Sequence, residues 1–305
     1  MKPRASLSLD LDNLWSYLKV HGDAAWSSYP TYLAHAVPRI LDVLSLAGLR
    51  ITVFVVGADA ARAENREALR AIAGANHEIG NHSFNHEPWI ASSSETEAYE
   101  ELLRAHDAIF EATGREPRGF RGPGFACSEP LLSALARLNY AYDASRLPTF
   151  IGPLARWYYF RNSSLTAEQR QERRALFGAW HDVLAKNRPH VVRTSRGKLI
   201  EIPVTTMPGA RVPIHFSYLH YISRRSRKAA ERYFAGALSL CRLTGTPPSL
   251  LLHPLDVLGY DDAPELRFFP GMDAPGGEKV ELTLGFLQML KARYDVTPME
   301  ISACA

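Results

Sequence analysis

The run Ile51-Thr52-Val53-Phe54-Val55-Val56, ending on Gly57, is the feature that most narrows the fold. A strand this continuously apolar is buried on both faces, as strands of a parallel sheet covered by helices are. It stands in an alternation of strand-like and helix-like segments. The sequence predicts a strand over 5–10, a helix near 36–48 capped by Gly48, and a helix over 60–74. A short strand over 77–82 follows, then a long helix over 94–113, opened by Ser92-Ser93-Ser94 and closed by Gly114. Beyond these come a strand at Gly119-Phe120-Arg121, a helix over 128–139 and a strand at 140–143. The alternation breaks over about 145–198 and resumes with a strand over 199–205. A helix over 224–243, a strand over 249–253, a loop over 259–277, a helix over 278–293 and a strand near 295–301 complete the pattern. Repeated βα units of this kind predict a parallel sheet or barrel, with polar chemistry at the strand ends.

The 305 residues suit one α/β domain spanning 1–305, with 145–198 as a packed helical, aromatic and basic insertion. An apolar fraction of 46% is enough to build a core without staples. The formal charge of +3 points to no polyanionic partner, and no nucleic-acid motif accompanies the arginine-rich stretches. Cys127, Cys241 and Cys304 are too scattered for a disulfide framework, which fits a reducing compartment. No apolar leader precedes the first strand and no spanning helix is visible, so the expected location is the cytoplasm.

Five groups of residues carry chemistry. Asp10 and Asp12 lie two apart on a strand and share a face; such a pair needs a cation, a metal or water, unless it is a solvated strand end or helix cap. His82 and His86 are four apart, so on a helical turn they share a face and suit one ion; two surface histidines in a polar turn read the same way. Arg121 precedes the Gly122-Pro123-Gly124-Phe125 turn, which either holds a carboxylate and presents backbone N–H groups or is a plain tight turn. Asp143 follows an aromatic strand, and His253 closes the strand Leu250-Leu251-Leu252, where a lone histidine is more often a hydrogen-bonded core residue.

In order and context these groups resemble the motifs of the polysaccharide deacetylase (NodB-homology, carbohydrate esterase family 4) superfamily, over roughly 5–145 and 199–256. The resemblance implies a deformed (β/α)7 barrel. It implies Asp12, His82 and His86 as ligands of one divalent metal ion, with zinc the first expectation. It implies Asp10 as general base oriented by Arg121, and His253 as general acid tuned by Asp143. Gly124 and Phe125 would face the oxyanion, with Leu251 and Trp89 beside the substrate. The family's adjacent aspartates are here Asp10-Leu11-Asp12, a spacing similar to intracellular branches and to deformylases of lipid-linked sugars.

The substrate expected is therefore an N-acetylated sugar or glycolipid. A deformylase or cyclic-imide amidohydrolase on the same scaffold is the alternative, and a non-catalytic glycan- or membrane-binding protein is the alternative of another class. Aromatic and basic residues gather over 147–161 and 212–228, a composition that suits either an anionic membrane surface or a core with solvated edges. Trp15, Trp26 and Trp89 are candidates for stacking on sugar faces. Oligomeric state is left open by the sequence.

Overall fold

A computed structural model describes residues 2–152, 165–166, 170 and 183–303. Most of the aromatic segment over 147–161, much of the expected insertion, and Cys304 lie outside these residues.

The centre of the molecule is a parallel sheet. Its strands are β1 (Arg4–Asp10), β2 (Thr52–Val55), β3 (Glu78–Asn81), β4 (Gly119–Phe120), β5 (Tyr142–Asp143), β6 (His190–Thr194), β7 (Gly197–Glu201), β8 (Ser249–Leu252) and β9 (Asp295–Thr297). The order is β6-β7-β5-β4-β3-β2-β1-β8, with β9 paired to the start of β1. β6 and β7 form an antiparallel hairpin and every other pairing is parallel. Without β6 and the short β9, seven parallel strands remain, the deformed (β/α) barrel that the resemblance implies. The two ends of the series meet without a full ladder. Thr205, just past β7, donates its N–H to the Ser249 carbonyl at 2.8 Å, and the Ser249 N–H donates to Thr205 Oγ1 at 2.8 Å.

Helices cover the outside: α1 (Leu14–His21), α2 (Leu33–Ala47), the single turn α3 (Gly57–Ala60), α4 (Arg66–Gly74), α5 (Glu95–Thr113), α6 (Glu129–Arg137), α7 (Phe216–Ser223), α8 (Arg227–Leu243), α9 (Gly276–Arg293) and α10 (Met299–Ala303). α5 shows how local sequence sets its ends. Ser94 accepts from the Glu97 N–H while the Glu97 carboxylate accepts from the Ser94 N–H, and Gly114 closes the helix at φ 68°. Leu7, Leu9, Leu250 and Leu252 face the helices and join the main outer core. The opposite faces point into the barrel, where Phe54, Tyr142, Ala144, Ile202 and Met299 form a separate cluster. Burying each aromatic ring there contributes about 1.5–3 kcal/mol.

Three expectations change. The helix expected over 60–74 is α3, a 3₁₀ turn at Ala63–Asn65 and then α4, because the Asn65 side chain is drawn inward to Asp59. The helix expected over 224–243 is α8, which starts at Arg227 because the Ser226 hydroxyl caps it; a break at Ser226 separates it from α7, a helix that was not foreseen. The last strand ends at Thr297, where the chain turns into α10 and Met299 enters the barrel cluster.

Candidate functional site

The register between β1 and β8 sets Ser8 beside Leu251. Alternation then puts Ser8, Asp10, Leu251 and the residue after β8, His253, on the interior side at the carboxyl end of the strands. Arg121, at the end of β4, is completely buried and reaches across this space. Its Nη1 donates to Asp10 Oδ1 at 2.9 Å and to Ser8 Oγ at 2.7 Å, its Nε donates to the Ala144 carbonyl at 2.8 Å, and its plane stands 4.7 Å from the Phe54 ring centroid. A buried guanidinium needs such partners, and Asp10 supplies the compensating charge.

Asp12 lies two residues beyond Asp10, past the end of β1. Its Oδ1 is 3.0 Å from His86 Nε2 and 3.3 Å from His82 Nε2, and one potential ligand atom from each residue lies within 4.8 Å of the others. All three are buried. Burial opposes ionisation of Asp12, but His86 and His82 outweigh it and hold the carboxyl well below the usual range. The same burial disfavours the His82 imidazolium, and Asp10 and Asp12 reverse that, raising its pKa. His82 Nδ1 donates to the Arg121 carbonyl at 2.6 Å, which leaves Nε2 as the nitrogen facing Asp12.

The two histidines do not converge through a helical turn, as the spacing suggested. Residues 82–87 are irregular, with Ser83 at φ 61° and His86 at φ 52°. Hydrogen bonds hold this loop. Asn81 Oδ1 accepts from the Ser83 N–H, Ser83 Oγ accepts from the His86 N–H, and Glu101 of α5 accepts from the N–H groups of Phe84 and Asn85.

Behind the triad, Asp59 accepts from Asn13 Nδ2 at 2.7 Å and Trp15 Nε1 at 2.9 Å. Its second oxygen has no partner among the described residues, and burial raises its pKa to about 7 despite those bonds. Trp15 is therefore a core residue and not a sugar platform. Trp26 and Trp89 are partly exposed and flank Lys19, whose Nζ is 4.9 and 5.8 Å from their ring centroids.

The Arg121–Phe125 turn follows the sequence reading in shape, with Gly124 at φ 59° and Phe125 at φ 65°. A side chain at Gly122 would stand 2.1 Å from the Ala126 carbonyl oxygen, so that position requires glycine. The Phe125 N–H is bound to the Gly122 carbonyl and the Ala126 N–H to the Pro123 carbonyl. That corrects the expectation for Phe125: among the described contacts, Gly124 is the residue of this turn whose N–H remains for a ligand.

Asp143 also differs from expectation. Its carboxylate accepts from Ser145 Oγ at 2.5 Å and adjoins Glu201 and Cys127; His253 is not among these partners. Burial raises the pKa of Asp143, and burial with the Asp143 charge raises Glu201 well above the usual range, so the pair shares a proton. Ser145 Oγ in turn accepts from the Gly122 N–H at 2.8 Å, so this pair supports the turn. The carboxylate beside His253 is Asp256: its Oδ2 accepts from the His253 N–H at 2.8 Å and its Oδ1 from Ser217 Oγ at 3.0 Å, while Ser217 Oγ is 3.5 Å from His253 Nδ1. The spacing His-Pro-Leu-Asp, a capping-box interval, was the signal that could have revealed it.

His215 was missed as a site residue. It is buried, its Nδ1 has no partner among the described residues, and its ring meets Tyr218 edge-on at 4.8 Å. Burial, then the His253 and Arg121 charges, lower its pKa to about 3, so it is a neutral imidazole facing the same space. The composition of the segment around it suited either a membrane surface or a core with solvated edges, and one face of it is core. Phe216, Leu219 and His220 are buried, Arg224 pairs with Asp273 and Glu278, and Arg227 pairs with Glu231 and Glu281.

A barrel of parallel strands thus carries, at its carboxyl end, a buried Asp-His-His cluster that could hold a divalent ion beside an arginine-bound aspartate. Residues 23–142 match the family model described as polysaccharide deacetylase, a span that includes His82, His86 and Arg121. A putative polysaccharide deacetylase from Mycobacterium smegmatis superposes with a TM-score of 0.59 at 19% identity, covering 99% of this chain and 94% of that one. Over residues 23–142 the chain is therefore similar to the polysaccharide deacetylases, and along its whole length it shares the fold of that neighbour. The peptidoglycan deacetylase of Helicobacter pylori is 29% identical over 125 residues, 41% of this chain and 40% of the relative. The peptidoglycan-N-acetylglucosamine deacetylase of Bacillus cereus is 31% identical over 111 residues, 36% of this chain and 48% of the relative. The chain thus spans less than half the length of these curated relatives.

Proposed function

We propose that the protein hydrolyses the N-acetyl amide of a sugar, with one divalent metal ion held by Asp12, His82 and His86. The observation that carries this reading is the convergence of those three buried side chains beside Asp10 and Arg121. The residues fit such an ion: His82 has its tautomer fixed by the Arg121 carbonyl, and a buried carboxylate faces two imidazole nitrogens. A bound ion would supply a more acidic water and a polarised acyl oxygen. Mixed N/O ligands suit zinc first and accept other divalent ions.

The chain's own residues supply the proton transfers. Asp10, held in place by Arg121 at 2.9 Å, takes the proton of the attacking water. The Gly124 N–H faces the developing oxyanion, a donor of the kind worth about 3 kcal/mol when well aimed. His253, oriented by Asp256 and Ser217, hands a proton to the leaving amine. Neutral His215 hydrogen-bonds the sugar beside it. Leu251 packs against the acyl methyl, and Trp89 lies at the outer edge. Asp143 supports the turn that carries Gly124.

The finer reading is one domain acting on a lipid-linked sugar at the cytoplasmic membrane face. It is supported by the Asp-Leu-Asp spacing and by exposed Tyr221 beside Arg225 and Lys228, which have no ion-pair partner among the described residues. No described helix is long and apolar enough to cross a membrane. A deformylase would use the same residues, and substrate assays separate the two.

Elemental analysis of the purified protein and of His82→Ala tests the centre. About one equivalent of zinc or a similar ion is expected in the wild type and loss in the variant. Asp10→Asn should keep the ion and lose turnover. Absence of metal after reconstitution would move the reading to a binding protein.

A further inference from the structure

Away from the barrel mouth, at the side where α8 leads into β8, lies a cavity of about 570 Å³. Lys186, Arg188, Arg211, His190, Thr244 and Thr246 line it together with the Pro208-Gly209 turn, and none of its described lining residues is acidic. Arg224 and Arg227, by contrast, are each paired with carboxylates. Here three basic side chains converge, and none of them has a carboxylate partner among the described residues.

Arg211 is the most informative of the three. Its Nη1 is buried without an acceptor among the described residues, and burial lowers its pKa. Leaving such an atom unpaired is costly, so its placement calls for a partner. The backbone holds it there: Arg211 sits at φ 53°, a left-handed conformation uncommon for arginine. Its N–H donates to the Met207 carbonyl at 2.8 Å, and its carbonyl accepts from Thr149 Oγ1 at 2.8 Å. The opposite wall is fastened to the same turn. Asn187 Nδ2 donates to the Thr206 carbonyl at 2.7 Å and Asn187 Oδ1 accepts from the Thr206 N–H at 3.0 Å, which sets Lys186 and Arg188 on either side of a fixed residue. His190, at the rim, has its pKa lowered by burial and by Lys186 and Arg146, and is neutral; Nδ1 stands 3.0 Å from the Arg188 carbonyl, to which it donates. The cavity is thus a pre-arranged concentration of positive charge with hydroxyl groups at its edge.

We propose that this cavity is a binding site for a phosphoryl oxyanion carrying at least two negative charges, a phosphate monoester or diphosphate. Guanidinium and ammonium groups converging from two walls match the several acceptor oxygens of such a group, where a single carboxylate would leave a cation uncompensated. The site is separate from the Asp-His-His cluster and does not depend on the proposed reaction.

Calorimetric titration with inorganic pyrophosphate tests it. The His82→Ala background removes chelation at the proposed metal centre as a source of heat. Saturable binding is expected, weakened about tenfold or more by Arg211→Gln and by Lys186→Gln. Lys186 is exposed, so its variant reads binding without disturbing the fold, and thermal melts check Arg211→Gln. Absence of saturable binding, or wild-type affinity in both variants, would overturn the proposal. Co-sedimentation with phosphatidic acid against phosphatidylcholine vesicles identifies the source of the ligand. Retention on the former that pyrophosphate competes away indicates a lipid headgroup; pyrophosphate binding without retention indicates a soluble phosphoryl compound.

Discussion

Individual residues at the barrel mouth differ in how visible they are from sequence. Asp10, Asp12, His82, Arg121 and His253 stand at or just past the ends of recognisable strands, so their meeting place follows once the strands are in order, whereas His86 reaches it through an irregular loop. Asp256 and His215 could not be placed that way, because their positions depend on a 3₁₀ turn after β8 and on the path into α7. Asp256→Asn is expected to lower kcat about 10-fold with little change in KM, since a neighbouring carboxylate that orients a working imidazole has effects of this order. An unchanged kcat would leave Asp256 a purely structural cap. Asp59 makes a prediction about stability. Its folded-state pKa is raised to about 7 from the ordinary aspartate value of 3.8, so the folded protein holds this proton more tightly than the unfolded chain. Its contribution is fully present below about pH 4 and is lost as pH rises through 7, at most about 4 kcal/mol. Thermal melts of wild type and Asp59→Asn between pH 5 and 8 should therefore diverge in favour of the variant as pH rises. Parallel curves would show that the proton is not held.

Among the elements, α5 was legible because its signals are local: Ser94 and Glu97 at one end, Gly114 at the other. The loop over 82–87 was not, since neither Ser83 nor His86 announces a left-handed backbone, and what holds them there comes from α5, fifteen residues or more away in sequence. Glu101 is the residue on which that loop hangs. Its carboxylate takes the Phe84 and Asn85 N–H groups and Asn85 Nδ2, at 3.0, 2.6 and 2.9 Å. Glu101→Ala leaves these donors without their acceptor and is expected to cost about 1–3 kcal/mol. Urea denaturation measures that loss, and metal content under limiting supply should fall with it if the loop sets the two imidazoles. The break at Ser226 was hidden for another reason: Ser226 reads equally well as a helix-surface residue until its hydroxyl is seen capping α8.

At the scale of the whole molecule, the parallel sheet was foreseeable from its buried strands, but the manner of its closure was not. Single hydrogen bonds between Thr205 and Ser249 join the two ends, and α10 fills the interior from below, features that involve no periodic pattern. The interior is crowded where β4 passes Tyr142. A Cβ on Gly119 would stand 2.0 Å from Tyr142 Cζ, so Gly119→Ala must displace a buried ring that also donates to Glu78 Oε1 at 2.5 Å. The expected cost is about 1–3 kcal/mol, seen as a melting temperature lower by several degrees. An unchanged melting temperature would mean that the barrel interior yields more easily than its packing indicates.

Arg121 serves two clusters by different means: its guanidinium grips Asp10 and its carbonyl fixes the tautomer of His82. Side-chain replacement can alter the first while leaving the second intact, so the two are separable by mutation although they share one residue. A shift of the β4 backbone would move both together. Anyone grafting this centre onto another scaffold must therefore transplant the strand end as a unit, because copying side-chain identities alone would carry over the grip and lose the alignment.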